Sequence, residues 1–293
     1  MPELPEVETV RSGLEPVLRG RRFLHVEQRR KDLRFPLPEQ FAERLTGRKV
    51  LRLDRRAKYI LVHLDDGAVL AIHLGMTGRF SVRHNRKTAQ LGEYTYAHGN
   101  DAKHDHLVFA MSGGAVVTYN DARRFGYMTL IRGADIAQDA FFRGLGVEPL
   151  SDALNATFLA GKAHGRRTDL KAFLMDQRIV AGLGNIYVCE ALFRARLSPF
   201  KGAATLATTS GRPTAAAGRM VDQIKTVLAD AIRAGGSTLR DYRQANGEIG
   251  SFQEAFAVYG REGEPCTKPR CRGTVRRKTQ GGRSTFYCPT CQR

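Results

Sequence analysis

Apolar residues at Val7, Val10, Leu14, Val17 and Leu18 recur at helical spacing behind two prolines and an acidic first turn, so the chain is expected to open almost at once in a helix. From about Phe23 to Ile131 the pattern changes to short β-rich runs: LHVEQ, KVLRLD, YILVHL, AVLAIHL, HLVFAM, AVVTYN and YMTLI. Turn signals such as Asp65-Asp66-Gly67 and Ser112-Gly113-Gly114 separate them. Runs this many and this close predict an antiparallel sandwich. Between about Val82 and Lys103 the chain is rich in Arg, His, Asn and Gly without a clear period, and reads as a long surface loop. Past Arg132 a linker-like stretch gives way to helical periodicity. Leu170, Phe173, Leu174 and Gln177 share one face, Gly182-Leu183-Gly184-Asn185 breaks the pattern, and Val188, Ala191, Leu192 and Ala195 share another. This predicts two helices joined by a glycine-containing turn, with Asn185 placed to cap the second. A further helix, from about Thr214 to Ala234, ends at Gly235-Gly236, and no internal repeat is visible.

Composition adds size and charge to this outline. With 293 residues the chain can build two domains with separate cores. Lys and Arg number 47 against 29 Asp and Glu, a formal charge of +18. A charge that one-sided points to a polyanionic partner, above all nucleic acid, without saying anything of fold. Because 42% of the residues are hydrophobic and no low-complexity run is present, the charge belongs to a folded body, and disorder is excluded as the main state. No stretch approaches the roughly 20 consecutive apolar residues of a membrane span, and the opening MPELPEVET lacks the basic start and apolar middle of a signal peptide. A cytosolic protein with no membrane partner is expected.

Four of the five cysteines, Cys266, Cys271, Cys288 and Cys291, fall within the last 28 residues as C-x4-C-x16-C-x2-C. In a reducing compartment that is metal-site spacing, and four thiolates at these separations can close a tetrahedron around one structural Zn²⁺. TVRRKT and STFYC predict the β-hairpin between the two knuckles. Four Cys ligands leave no open position for a catalytic water, and Arg261 to Arg293 carries nine basic residues against Glu262 and Glu264, so the module reads as a phosphate-contacting arm. Cys189, beside apolar neighbours on a helix, is expected to be buried core.

The blocks MPELPEVETV, RRAKY at 55–59, HLGMTG at 73–78, DARRFG at 121–126, GLGNIYVCEAL at 182–192 and a terminal cysteine finger containing GRSTFYC stand in the order found in bacterial formamidopyrimidine-DNA glycosylases, which the chain resembles over nearly its whole length. PELPE is more similar to that branch than to the related endonuclease VIII branch, whose enzymes act on oxidised pyrimidines. The resemblance implies an α+β protein of two domains. An N-terminal antiparallel β-sandwich flanked by helices (1–132) would lead through a linker (133–149) to a helical helix-two-turn-helix domain (150–254) and a β-hairpin zinc finger (255–293). It also implies a monomeric base-excision enzyme that removes oxidised purines such as 8-oxoguanine and formamidopyrimidines from double-stranded DNA and then cleaves the strand by β,δ-elimination.

Pro2 taken alone is an ordinary helix-start proline. With Met1 removed it becomes a secondary amine with a pKa near neutrality, able to attack C1′ of a damaged nucleotide and form an iminium. The resemblance makes Glu3 the general acid and base, Glu6 its support, Lys58 the proton donor in β-elimination and Arg283 the residue of δ-elimination and the lesion phosphate. Which of Glu3 and Glu6 holds a proton stays open. Lys58 on its own would read as a solvated strand-edge lysine, and Met76 and Phe125 as core. The resemblance instead puts Met76, Arg123 and Phe125 into the gap left by an everted base, with Gly-flanked turns favouring their exposure. His104, Arg166, Lys171 and Asn185 match DNA-contacting positions, Asn185 at a helix start suited to an anion. Gly235-Gly236-Ser237-Thr238 resembles the loop over an everted purine, with Arg240 where lysine is more usual. Arg166 also replaces a frequent lysine. The x4 knuckle, where x2 is usual, is a departure, and the 82–103 segment is either an extra DNA contact or merely a loop.

Overall fold

The computed structural model describes residues 2–84, 87–91, 101–237 and 252–293. The chain divides into two compact units, Met1–Arg143 with Ile232–Phe252, and Gly144–Ala231 with Gln253–Arg293. Among the described residues no helix is long and apolar enough to cross a membrane.

In the first unit, helix α1 (Leu4–Leu18) buries Val7, Val10, Leu14 and Leu18, the stripe its spacing predicts. The strands are β1 (Phe23–Gln28), β2 (Val50–Arg56), β3 (Tyr59–Leu64), β4 (Ala68–His73), β5 (Arg79–His84), β6 (Lys87–Leu91), β7 (Asp105–Met111), β8 (Val116–Asn120) and β9 (Tyr127–Arg132), with a short helix α2 (Phe41–Leu45) between β1 and β2. They form two antiparallel sheets, ordered β1-β7-β8-β5-β6 and β2-β3-β4-β9. Val26, Phe80, Leu107, Phe109, Val117 and Tyr119 of the first sheet and Leu53, Ile60, Val62, Leu70, Ile72 and Met128 of the second join α1 in one apolar cluster. This is the expected sandwich, closed by burial of alternate side chains.

The surface loop expected over 82–103 begins instead as sheet. Val82 lies in β5, and β6 pairs back on it from Phe80↔Leu91 to His84↔Lys87. Thr88, Ala89, Gln90 and Leu91 do alternate polar and apolar, a signal obscured by the basic residues around it. A polar strand of this kind suits its place at the end of the sheet order. Residues 92–100 lie outside the described residues.

The second unit contains α3 (Ala156–Ala163), α4 (Leu170–Met175), α5 (Asn185–Arg194), α6 (Ala215–Arg233, whose last residues belong to the first unit) and the hairpin β10 (Arg276–Gln280) and β11 (Arg283–Tyr287). Asn155 and Asp169 cap α3 and α4 through side-chain bonds from Phe158 N (2.9 Å) and Ala172 N (2.7 Å). The α4–α5 connection departs from the sequence pattern at two residues. Gln177 does not extend the face of α4, which ends at Met175; its amide accepts from Gly182 N (2.8 Å) and donates to Leu183 O (2.8 Å) and Met175 O (3.0 Å), pinning the turn. Asn185 does not cap α5. Gly184 is the extended cap residue and Asn185 the first helical one, because its side chain is turned onto β11. Cys189 is buried in α5, as expected.

Candidate functional site

At the start of α1, Pro2, Glu3 and Glu6 are all buried. Glu3 N donates to Glu6 Oε2 (2.9 Å), while Glu6 Oε1 accepts from both Ser237 N (2.8 Å) and Ser237 Oγ (2.9 Å). Lys58 stands in the two-residue turn between β2 and β3, where Ala57 takes a positive φ of 52°. Arg55 ties that turn to α1 by donating from Nε to Glu8 (3.0 Å) and from its guanidinium to Ala57 O (2.9 Å). Lys58 is only 7% exposed and therefore not the solvated lysine its basic neighbourhood suggests.

Beside this turn, His73 stacks on Tyr127 with ring centroids 5.0 Å apart and accepts at Nδ1 from Gly75 N (3.0 Å). Burial, then the charges of Lys58 and Arg34, push its pKa down to about 4. Burial also raises Tyr59 and Tyr127, whose hydroxyls bond to one another.

Met76, Arg123, Phe125 and His104 come from three separate loops, and Asp121 joins them. Its carboxylate is fully buried; Oδ1 accepts from the Thr77 hydroxyl, and Oδ2 from Gly126 N (2.8 Å) and Tyr119 OH (3.3 Å). Its backbone N donates to His104 O (3.0 Å) and its carbonyl accepts from His106 Nε2 (2.8 Å). Thr77 Oγ1 also accepts from Arg123 N (3.2 Å). Gly75 has a φ of +64°, and a Cβ there would lie 2.2 Å from the Phe125 carbonyl carbon, so the two turns approach more closely than any larger residue allows. Across this joint Phe125 stays 41% exposed, Met76 is half-buried, and the exposed Arg123 guanidinium lies 4.6 Å from the Phe125 ring centre.

In the second unit, Arg166 and Arg283 are exposed. Lys171 is not the exposed phosphate contact expected: it is 1% exposed, and Nζ donates to Thr285 Oγ1 (2.7 Å) and Ser284 O (3.3 Å), because the first turn of α4 faces β11. Asn185 Nδ2 donates to the same Ser284 O (3.0 Å) and to Tyr259 OH (3.3 Å). Both props flank the strand that begins at Arg283, and Lys171, Arg283, Asp169, Met175 and Gln280 line one cleft of about 280 Å³. Fully buried Glu190 accepts from Ala257 N (3.0 Å), Val258 N (3.0 Å) and Tyr259 N (2.8 Å), holding the segment that supplies Tyr259. Arg240 lies outside the described residues.

The Sγ atoms of Cys266, Cys271, Cys288 and Cys291 lie within 4.8 Å of one another, with Cys266–Cys291 at 3.8 Å and Cys271–Cys288 at 3.7 Å. A tetrahedral zinc with Zn–S bonds of about 2.3 Å requires sulfurs about 3.8 Å apart. Lys268 N and Gly273 N point at Cys266 and Cys271 Sγ (3.5 and 3.4 Å), as donors to thiolates would. The residues fit the metal.

Comparison with known proteins agrees with this layout. Residues 1–128 match the formamidopyrimidine-DNA glycosylase N-terminal domain, 145–243 its H2TH domain, and 263–293 the zinc finger found in FPG and IleRS. Formamidopyrimidine-DNA glycosylases of Chelativorans sp. (strain BNC1) and Rhodopseudomonas palustris (strain BisA53) are each 56% identical, over the full length of both chains. The chain belongs to the formamidopyrimidine-DNA glycosylase family. Among solved structures it is similar to the MutM (FPG) protein from Thermus thermophilus, with 40% identity, TM-score 0.77 and coverage of 99% of this chain and 98% of that one. It is also similar to a Lactococcus lactis FPG mutant in complex with a Fapy-dG containing DNA, with 32% identity, TM-score 0.81 and full coverage of both chains.

Within this glycosylase framework, sequence reasoning missed the residues that hold the site residues in place: Asp121, Thr77, Glu190, Tyr259 and His73. All but Tyr259 lie inside the blocks that carry the family resemblance, and an acid directly before a Gly-ended turn is a signal that could have marked Asp121.

Replacing Asp121 by alanine leaves Gly126 N–H and the Thr77 hydroxyl without their acceptor, at about 1–3 kcal/mol for each buried unsatisfied group. Asparagine keeps one acceptor and can donate to the rotating Thr77 hydroxyl. Chemical unfolding and duplex binding should therefore show a large loss for Asp121→Ala and a small one for Asp121→Asn; equal losses would contradict the joint.

For His73 the folded pKa of about 4 lies below its ordinary 6.5, so the unfolded chain binds more protons between these values. Its contribution is complete above pH 6.5 and lost as the pH falls to 4, on the order of 3 kcal/mol. His73→Gln should flatten the acid limb of stability, and ring NMR shifts of the free protein should titrate near 4; titration near 6.5 would rule this out.

Proposed function

We propose that the chain removes oxidised purines, 8-oxoguanine and formamidopyrimidines, from double-stranded DNA and cuts the strand at the resulting abasic site. The carrying observation is the arrangement at the start of α1, where Pro2 and Glu3 are buried together and Glu6 fixes the Glu3 backbone. Once Met1 is removed, the Pro2 nitrogen lone pair attacks C1′, the glycosidic bond breaks and the base leaves with a proton. Glu3 protonates the ring oxygen as the sugar opens, and an iminium forms between Pro2 and C1′. That cation acidifies C2′–H. Loss of this proton expels the 3′ phosphate in β-elimination, and a second elimination expels the 5′ phosphate.

Lys58, held in its turn by Arg55, serves as proton donor in the first elimination, and Arg283 serves the second. Met76, Arg123 and Phe125 fill the space of the everted base, with Arg123 facing the orphaned partner base. His104, Arg166 and Asn185 contact phosphate, Lys171 positions β11, and Arg240 joins the loop over the base. One zinc ion, bound by Cys266, Cys271, Cys288 and Cys291, supplies folding energy to the finger. The enzyme works as a monomer in the cytosol. One neighbour, Lactococcus lactis FPG, has been solved with an oxidised pyrimidine containing DNA, so thymine glycol belongs in any substrate test.

Borohydride should trap a covalent adduct of the wild-type protein with an 8-oxoguanine:cytosine duplex, and both Pro2→Gly and a form retaining Met1 should abolish it. Duplex binding by wild type with no adduct would overturn the reading. Faster cleavage of thymine glycol than of 8-oxoguanine would instead favour the endonuclease VIII type of specificity.

Binding should also be steeply salt-dependent. If roughly five basic side chains neutralise phosphates, log affinity falls by about 4.5 for each decade of salt, about 0.9 per contact. A slope near 1 would mean that the +18 is not gathered at the DNA face.

A further inference from the structure

Glu6 has a place in the fold that supporting Glu3 does not explain. Its carboxylate is 1% exposed and joins its own helix start to a residue 231 positions further along the chain: Oε2 takes Glu3 N–H, and Oε1 takes both donors of Ser237. The segment leading to Ser237 is built for this approach. Gly235 and Gly236 follow α6 with φ of +77° and +87°, a conformation that residues with a Cβ seldom adopt. A Cβ on Gly236 would lie 3.1 Å from Glu6 Oε1, 3.2 Å from its Cγ and 3.4 Å from its Cα, so the backbone lies flat on the first turn of α1. A carboxylate is a rigid plane, and with its oxygens bonded in opposite directions, displacement of Ser237 either moves the Glu3 backbone or breaks a bond.

We propose that Glu6 is a positioning residue that couples the Gly235–Ser237 segment to the N-terminal nucleophile, so that the amine is correctly set only when Ser237 is seated. This rests on the Pro2 reading above and adds that the chemistry at C1′ senses the segment even when no base is there to be touched. A purely local role for the segment would be felt in base removal alone.

The distinguishing substrate is therefore an abasic-site duplex, with the rate of borohydride trapping measured in single turnover on the full-length protein. Gly236→Ala, which strains the left-handed backbone next to Ser237 and presses a Cβ against Glu6, is expected to slow trapping about tenfold, the scale on which small misplacements of reacting groups are felt. Glu6→Gln must set an NH2 against either Glu3 N–H or Ser237 N–H, and should show a similar loss. The double variant should be no slower than the worse single one, the non-additivity of two changes in one connection. Ser237→Ala, which removes a single bond and leaves the backbone unstrained, should shift the rate in the same direction by a smaller factor, and carries the test if Gly236→Ala unfolds. Normal abasic-site trapping by folded Gly236→Ala and Ser237→Ala, or multiplicative losses in the double variant, would overturn the coupling. Absence of trapping by wild type would instead overturn the Pro2 reading itself.

Discussion

A carboxylate withdrawn from water has to be met by donors, and in this chain that requirement fixes segments far apart in sequence. Asp121 meets it with Thr77, Tyr119 and Gly126, which draws the turn after β4 against the turn before β9. Glu190 meets it with three consecutive backbone amides ahead of the finger. Glu6 meets it with Glu3 and Ser237. Each acid is almost wholly buried; Asp121 and Glu6 hold residues proposed to act on DNA, and Glu190 holds the segment of Tyr259, which accepts from Asn185. Apolar packing alone could not do this, because a hydrophobic contact tolerates sliding, whereas a buried charge with a missing donor does not.

The same division of labour appears among the cations. Lys58 and Lys171 are buried, Lys171 bonded to β11, while Arg123, Arg166 and Arg283 extend into solvent. Arg123 and Arg283 make no ion pair among the described residues. Arg29, Arg52 and Arg178, by contrast, are held by nearby acids at 2.8–2.9 Å. The net charge of +18 already subtracts such acids, and the arginines without an ion pair among the described residues mark where part of the excess lies.

What could be read from the sequence follows from which forces are local. The stripe of α1, the strand runs and the cysteine knuckles are periodic or closely spaced signals, and each emerged where expected. Gln177 and Asn185 did not, because their amides are committed to partners that helical periodicity does not encode: the α4–α5 turn for one, β11 for the other. Lys171 reads as surface in the sequence for a related reason. Charge predicts exposure only until a hydroxyl and a carbonyl 114 and 113 residues away accept its protons. The roles of Pro2, Glu3 and Lys58 came from resemblance to a family, and no periodicity or spacing in the chain would have supplied them.

The widened first knuckle shows how a local departure is absorbed. Two additional residues between Cys266 and Cys271 could have spread the sulfurs, yet the Cys266–Cys291 and Cys271–Cys288 separations remain those a tetrahedral zinc needs. The loop closes on itself through Cys271 N to Lys268 O (3.1 Å), and Lys268 N turns back to Cys266 Sγ. The Lys268 side chain then leaves the metal for α5, with Nζ 5.4 Å from the Phe193 ring centre and 3.5 Å from Arg194 O at the helix C-terminus, where a cation is favoured. The extra length is thus used outside the coordination sphere, against the helix that carries Asn185 and Glu190. Since both of those residues also hold the finger or the segment leading into it, the added contact reinforces a junction that already sets the position of β11 and, at its first residue, Arg283.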